Sequence, residues 1–540
     1  MSEIQLLDCT LRDGGYINDW EFGHNNIISI IDRLEQAKVD IIEIGFLDDR
    51  RPFDMNRTIM PDTASVGKLL GEQSHSAMIV GMIDYGTCRI ENLQPASESV
   101  LDGIRVIFKK HLMHEAMEFC AQVKALGYKV FSQLVSITSY NDDELMEIIG
   151  LVNKVKPYAV SMVDTYGLLH PDDMLHYYEI LDEYVDSDVQ IGFHAHNNFQ
   201  LAYANDIAFL NKPAKHNIVV DATLYGMGKS AGNSQIELVS MYLNDRFGKN
   251  YNIDYLLESI EETVMDVYNR SPWGYKMFFY LCSKNRCHPN YVSTFLKKED
   301  LSISNLDKVL DRIEPEPKKL LYDQNIADSI YDEFEQEIDD TKDYMKLSEE
   351  LSGRNILIIG PGKNVELQQQ AIADYISANA PVIISINYIP KAFDVDFVFV
   401  TNKKRNQQMT DSLREPKNSD IGIIATSNIT AGKVPYKYRL KLSELLDKDG
   451  LYSDNSFIML IKALRKCGVK AVSCAGLDGY SNKEDNYFNP KMEYSFVKSQ
   501  ADYLNKMIRA ELFEKYSDMK FDFITYSKYT ESEDCHDAAF

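Results

Sequence analysis

The chain has 540 residues, 45% of them apolar and 26% charged, with a formal net charge of −25. That length implies two or three folded domains, and so acidic a surface excludes general binding to nucleic acid or anionic lipid, which need basic partners. No apolar run reaches the roughly 18 residues of a membrane span, and the N-terminus lacks a signal-peptide pattern, so a cytoplasmic chain is expected.

From residue 4 to about 224, short apolar runs alternate with helical patterns. The runs fall at 4–9, 41–46, 77–83, 104–108, 130–135, 159–163, 191–194 and 218–222. Eight such runs predict an α/β fold, a (β/α)8 TIM barrel over residues 1–250. Asp8, Glu43, Asp84, Lys109, Ser132, Asp164, His194, His196, Asp221 and Thr223 stand at or near their carboxyl ends, the catalytic face of such a barrel. Residues 251–330 read as a helical extension or cap, and 331–352 as an acidic, helix-favouring linker that is solvated. A Rossmann-like α/β domain is expected over 353–540, with strands at 355–359, 382–386, 397–400, 421–425 and 471–474. The eight cysteines are scattered without zinc-site spacing, and reduced thiols are expected.

Two stretches carry chemistry in the first half. Leu6–Gly15 runs an apolar strand into Arg12, Asp13 and two glycines, and His194 and His196 sit two apart on another strand, so they face the same side. One aspartate and two histidines form a facial set that leaves half of a divalent cation's sphere open to substrate. Arg12 is placed to offset charge developing on a bound oxygen. After the eighth run, Tyr225–Asn233 is glycine-rich, and Asn233 can offer an oxygen to the cation.

Together, TLRDG at 10–14, HAHNN at 194–198 and GMGKSAGN at 226–233 resemble the DRE-TIM metallolyase superfamily, which includes hydroxymethylglutaryl-CoA lyase, isopropylmalate and homocitrate synthases and 4-hydroxy-2-oxovalerate aldolase. The resemblance spans residues 3 to about 290 and is greatest to the aldolase branch. It implies that Asp13, His194, His196 and Asn233 hold Mn²⁺ or Mg²⁺ and that Arg12 stabilises an enolate. It also implies that a 4-hydroxy-2-oxoacid is cleaved or formed from small-molecule partners, a 2-oxoacid and an aldehyde, by a homo-oligomer. Tyr16 stands where the aldolases carry a histidine base. A phenol titrates near 10, so Tyr275 and His288 are further acid–base candidates. An acyl-CoA-dependent Claisen synthase is the alternative within the superfamily, although such synthases place Glu where this chain has Gly15.

In the second half, the turn Gly360–Gly362 with Lys363 could cradle a phosphate. Asn387, Asn402 and Asn428 follow successive strands, with Lys403, Lys404 and Arg405 adjacent. These suggest a nucleotide or sugar nucleotide as partner, and they leave open a glycosyltransferase or nucleotide-binding protein with the barrel as scaffold.

Overall fold

A computed structural model describes residues 3–71, 74–298, 301–313, 322–446, 455–489 and 495–530. These divide into two compact units, one built on residues up to 292 together with Tyr322, the other on residues 293–313 and from 323 onward.

The first unit is a closed parallel barrel. Its strands are β1 (Ile4–Asp8), β2 (Ile41–Leu47), a two-residue β3 (Ile59–Met60), β4 (Met78–Asp84), β5 (Gly103–Phe108), β6 (Lys129–Leu134), β7 (Ala159–Asp164), β8 (Gln190–Ala195) and β9 (Ile218–Ala222). Each of the eight expected runs is a strand, displaced by no more than one residue at either end. The order runs β1-β9-β8-β7-β6-β5-β4-β2, and β1 closes it by pairing in parallel with β2, Leu7 opposite Ile41. β3 lies beside β2 outside the ring.

Strand alternation sorts the side chains into two populations. Ile42, Ile44, Ile104, Val106, Val160, Phe193 and Val220 belong to the large buried cluster shared with the surrounding helices. Leu7, Ile41, Val80, Phe131, Ala159 and Val219 fill the barrel interior as a second cluster. Burying each large apolar side chain contributes about 1.5–3 kcal/mol. The helix Asp142–Val155 shows the local rules at work. Asn141 accepts from Glu144 N while the Glu144 side chain accepts from Asn141 N, a reciprocal capping box.

The expected helices after the barrel are present, at Ile236–Phe247, Ile253–Ser259 continuing through a wider turn to Met265–Arg270, Met277–Lys284, Pro289–Leu296 and Ile303–Asp311. The acidic segment is helical too, at Gln324–Gln336 and Thr341–Leu351. Its solvated character is corrected: Tyr344, Leu347 and Leu351 recur at helical spacing and are buried with Ile356 and Ile358 of the second unit.

The second unit carries seven parallel strands, β10 (Ile356–Ile359), β11 (Val382–Ile386), β12 (Phe397–Val400), β13 (Gly422–Thr426), β14 (Tyr438–Leu440), β15 (Ala471–Ala475) and β16 (Lys520–Phe523), ordered β14-β13-β12-β11-β10-β15-β16. The two edge strands β14 and β16 were not anticipated. They are short and half-polar, so they lack the continuous apolar run of the buried strands. Among the described residues no helix is long and apolar enough to cross a membrane.

Candidate active site

The barrel's upper interior is a layer of buried charge. Arg105, fully buried on β5, donates to Glu43 Oε2 on β2 at 3.0 Å, to Gln133 Oε1 on β6 at 3.0 Å, and to Asp221 on β9. Asp221 Oδ2 in turn meets His194 Nδ1 at 3.0 Å. This hydrogen bond fixes the ring so that Nε2 points away from Asp221. Cys9 Sγ also lies 3.9 Å from Nδ1, but its thiol is pushed up by burial, and Arg105 already neutralises Asp221. Cys9, His194 and Asp221 therefore read as a hydrogen-bonded support rather than a second cation site.

Above this layer the chain brings Asp13, His194 and His196 together, with ligating atoms within 4.8 Å of one another and all three buried. The short helix Thr10–Asp13 after β1 presents Arg12 and Asp13 side by side. Thr10 Oγ1 ties this helix to the opposite loop by accepting from Leu224 N at 2.8 Å. A bridge between His196 and Asn233 holds the glycine-rich loop against the end of β8. Asn233 Nδ2 donates to Asp13 Oδ2 at 2.7 Å and Lys229 N to the same oxygen at 3.1 Å, while Lys229 O meets His196 Nδ1 at 3.3 Å. Gly228 makes this approach possible, since a Cβ there would lie 2.4 Å from Asn233 Nδ2 and 2.5 Å from Asp13 Oδ2.

Among the described residues, two buried atoms at this cluster have no hydrogen-bond partner, His194 Nε2 and Asn233 Oδ1. Leaving such groups bare costs about 1–3 kcal/mol each, and both are lone-pair donors suited to a cation. Burial would raise the Asp13 carboxyl, but the Arg12 guanidinium first, then the neighbouring His196 and His194 rings and the Asn233 hydrogen bond, outweigh it and hold Asp13 well below the usual carboxylate range. Burial pushes the His196 imidazole down to about 3, so its lone pair is available at neutral pH. An ionised carboxylate, two imidazole nitrogens and an amide oxygen fit a divalent metal.

Arg12 is held on two sides, its Nε by Glu43 Oε2 at 2.8 Å and its Nη1 by Asp13 Oδ1 at 2.5 Å. Among the described residues Nη2 has no partner. Trp20 Nε1 donates to Arg12 O at 2.8 Å, and the indole fills the space a side chain at Gly15 would need, 2.0 Å from its Cβ position.

The acid–base candidates separate clearly. The Tyr16 ring packs on Trp20 and Phe46, with centroids 4.9 and 6.2 Å away, yet the residue stays 43% exposed. Desolvation at the crowded mouth, then the Asp13 charge, push its phenol up to about 12. His288 is half-buried between Tyr166 and Tyr322, and its Nδ1 accepts from Asn290 N at 3.2 Å. Burial, then the charges of Lys229 and Lys109, lower its imidazole. Tyr275 is 60% exposed and makes no hydrogen bond among the described residues. Sequence reasoning missed Lys229. Its Nζ lies over the Tyr16 ring, 5.4 Å from the centroid, without an ion-pair partner among the described residues. It missed Arg105 as well, whose one signal is a lone arginine inside an otherwise apolar strand.

In the second unit, Gly360 N and Gly362 N donate to Ala475 O and Gly476 O, both at 2.8 Å. Those amides are spent on the β15 loop and are not free to cradle a phosphate. Lys363 Nζ lies 3.6 Å from Glu484. Asn387 Nδ2 donates to Ser456 Oγ at 2.9 Å, and Asn387 Oδ1 accepts from Thr401 N at 3.0 Å.

The fold and the site define a class: a TIM barrel whose catalytic face carries an open centre of two histidines and one carboxylate beside an arginine. Residues 3–264 match the HMGL-like family model, and this half of the chain is an HMGL-like (DRE-TIM metallolyase) domain. Among similar proteins are an oxaloacetate decarboxylase of Mycobacterium tuberculosis, 28% identical over 50% of this chain and 78% of its own length, and a 4-hydroxy-2-oxovalerate aldolase of Geobacillus genomosp. 3, 26% identical over 50% and 79%. The HMG-CoA lyase of Brucella melitensis aligns with 48% of this chain and 96% of its own, at 16% identity and a TM-score of 0.38. Lyases that use a divalent metal are among the members of this family.

Proposed function

We propose that the barrel is a divalent-metal-dependent aldolase that cleaves or forms a 4-hydroxy-2-oxoacid, with Mn²⁺ or Mg²⁺ held by Asp13, His194, His196 and Asn233. The observation that carries this reading is the pair of bare buried atoms, His194 Nε2 and Asn233 Oδ1, beside an ionised Asp13 with Arg12 adjoining. A divalent cation there supplies Lewis acidity toward the oxygens of a 2-oxoacid.

The chain's own residues divide the remaining work. Arg12, pinned through Nε and Nη1, offers Nη2 to the oxygen on which negative charge grows as the carbon–carbon bond breaks. Lys229 supplies a second cation, suited to the substrate carboxylate. In cleavage the 4-hydroxyl must lose its proton. With Nδ1 accepting from Asn290 N, a neutral His288 carries its proton on Nε2, so in this arrangement it and Tyr16 both suit hydrogen-bond donation, and His288 takes that proton only in the other tautomer, with the Asn290 N contact released. Decarboxylation of oxaloacetate and cleavage of 4-hydroxy-2-oxovalerate, the reactions named for two of the similar proteins, pose the same electrostatic problem. Both place the leaving electrons on a pyruvate enolate. Trp20 filling the space beside Gly15 disfavours the Claisen synthase arrangement, which uses a glutamate at that place.

The test is proton exchange at the pyruvate methyl group in D₂O, followed by NMR. Exchange should require the protein and added Mn²⁺ together, and metal-loaded protein that leaves the methyl signal unchanged would refute the reading. Thiol release from acetyl-CoA with 2-oxoacids would redirect it to the synthase.

A further inference from the structure

The second unit has a half-open cavity of about 550 Å³ at the carboxyl edge of its sheet. β10 lies between β11 and β15: from β10 the chain winds outward through β11 to β14, then returns to the other side of β10 at β15. The loops after β10 and β15 therefore run in opposite directions and leave a crevice, the place where open α/β sheets bind ligands. The size suits a small organic molecule rather than a lone ion.

The crevice has two chemically distinct ends. After β12 stand Arg405 and Lys404, both lining the cavity on a chain of net charge −25. Arg405 is only 6% exposed; its backbone N donates to Asn402 Oδ1 at 3.1 Å, and its Nη1 donates to Gln408 Oε1 at 2.8 Å, which orients the guanidinium plane. A buried planar guanidinium is the side chain best matched to phosphate oxygens. After β15 stand Tyr480 and Tyr487, also in the lining. Tyr480 is fixed through its backbone, N donating to Asn505 Oδ1 at 2.7 Å and O accepting from Asn505 Nδ2 at 2.8 Å. Aromatic rings in the lining offer a stacking surface for a planar base. Between the ends, the Asn387–Thr401–Ser456 hydrogen-bond triad makes a neutral floor. β12 and β15 are three strand spacings apart, about 14 Å, a distance inorganic phosphate cannot bridge and an extended nucleoside diphosphate can.

We propose that this cavity binds a nucleoside diphosphate, its phosphates at Arg405 and Lys404 and its base against Tyr480 and Tyr487. The assignment is independent of the reaction at the barrel. It moves the phosphate contact away from the glycine turn, whose amides are already bonded.

Calorimetric titration of the full chain with UDP, ADP, GDP and CDP tests it, with UDP-glucose, uridine and inorganic phosphate as companions. At least one diphosphate should bind saturably at one site, at least tenfold more tightly than uridine or inorganic phosphate. Tighter binding of UDP-glucose than of UDP would assign the bound form to an activated sugar, and the reverse to the free nucleotide. Arg405→Gln and the exposed Lys404→Glu should each weaken binding tenfold or more, with Mn²⁺ binding unchanged. Absence of saturable diphosphate binding, phosphate binding as tightly as the diphosphates, or affinity indifferent to Lys404→Glu would overturn the proposal.

Discussion

At the scale of single residues, the barrel site rests on a few atoms whose partners are either fully used or absent. His194 spends Nδ1 on Asp221 and leaves Nε2 bare. His194→Ala should therefore abolish stoichiometric Mn²⁺ binding, measured by equilibrium dialysis with elemental analysis, while the circular dichroism spectrum stays native. Arg12→Ala should leave metal content intact and lower turnover by about 10²–10³-fold, because charge on the departing oxygen loses its donor. Lys229→Met should raise the KM for pyruvate-derived substrates about tenfold or more with little change in metal affinity, since only the side chain is lost and its backbone contacts to Asp13 and His196 remain. The Asp13 and His194–His196 pairing was legible in the sequence, because strand periodicity alone puts the two histidines on one face. Lys229 was not. Its loop was singled out, but the direction of a loop side chain depends on φ and ψ values that residue spacing does not encode.

At the scale of elements, the glycine-rich loop and β5 serve the site in different ways. Gly228 lies so close to Asp13 and Asn233 that any Cβ collides with both. Gly228→Ala should thus weaken Mn²⁺ binding strongly while altering the melting temperature little, because the loop can shift outward without disturbing the barrel. β5 contributes a buried Arg105 that joins β2, β6 and β9 across the interior. Arg105→Ala would leave buried Asp221 without its arginine, holding only His194, and Glu43 with Arg12 alone. It should cost about 3–5 kcal/mol in urea unfolding, an effect a surface arginine would not show. The barrel strands could be read from the chain because each is a buried apolar run. β14 and β16 escaped because an edge strand needs only one apolar face, and Arg439 and Lys520 sit on the exposed sides.

At the scale of the whole molecule, each unit has its own core, one around the barrel and one around the seven-stranded sheet. Differential scanning calorimetry should resolve two transitions, of which Mn²⁺ raises only one. Metal at a hundredfold excess over its Kd adds about 2.7 kcal/mol to the unit that binds it. A single transition that moves as a whole would show that the two cores unfold together.

The order of apolar runs and the three motifs determined by themselves that the first half is a TIM barrel with a two-histidine–one-carboxylate face, since alternation and strand-end chemistry are local properties of the chain. They likewise pointed to a second parallel sheet. Only the tertiary structure decided what each polar group has left to offer. It consumed the amides of Gly360 and Gly362 on a neighbouring loop, buried the acidic segment's Tyr344, Leu347 and Leu351, and placed Lys229 over Tyr16. It also left His194 Nε2 and Asn233 Oδ1 bare beside Asp13. Hydrogen-bond satisfaction depends on contacts between residues hundreds of positions apart, which no local pattern in the chain specifies.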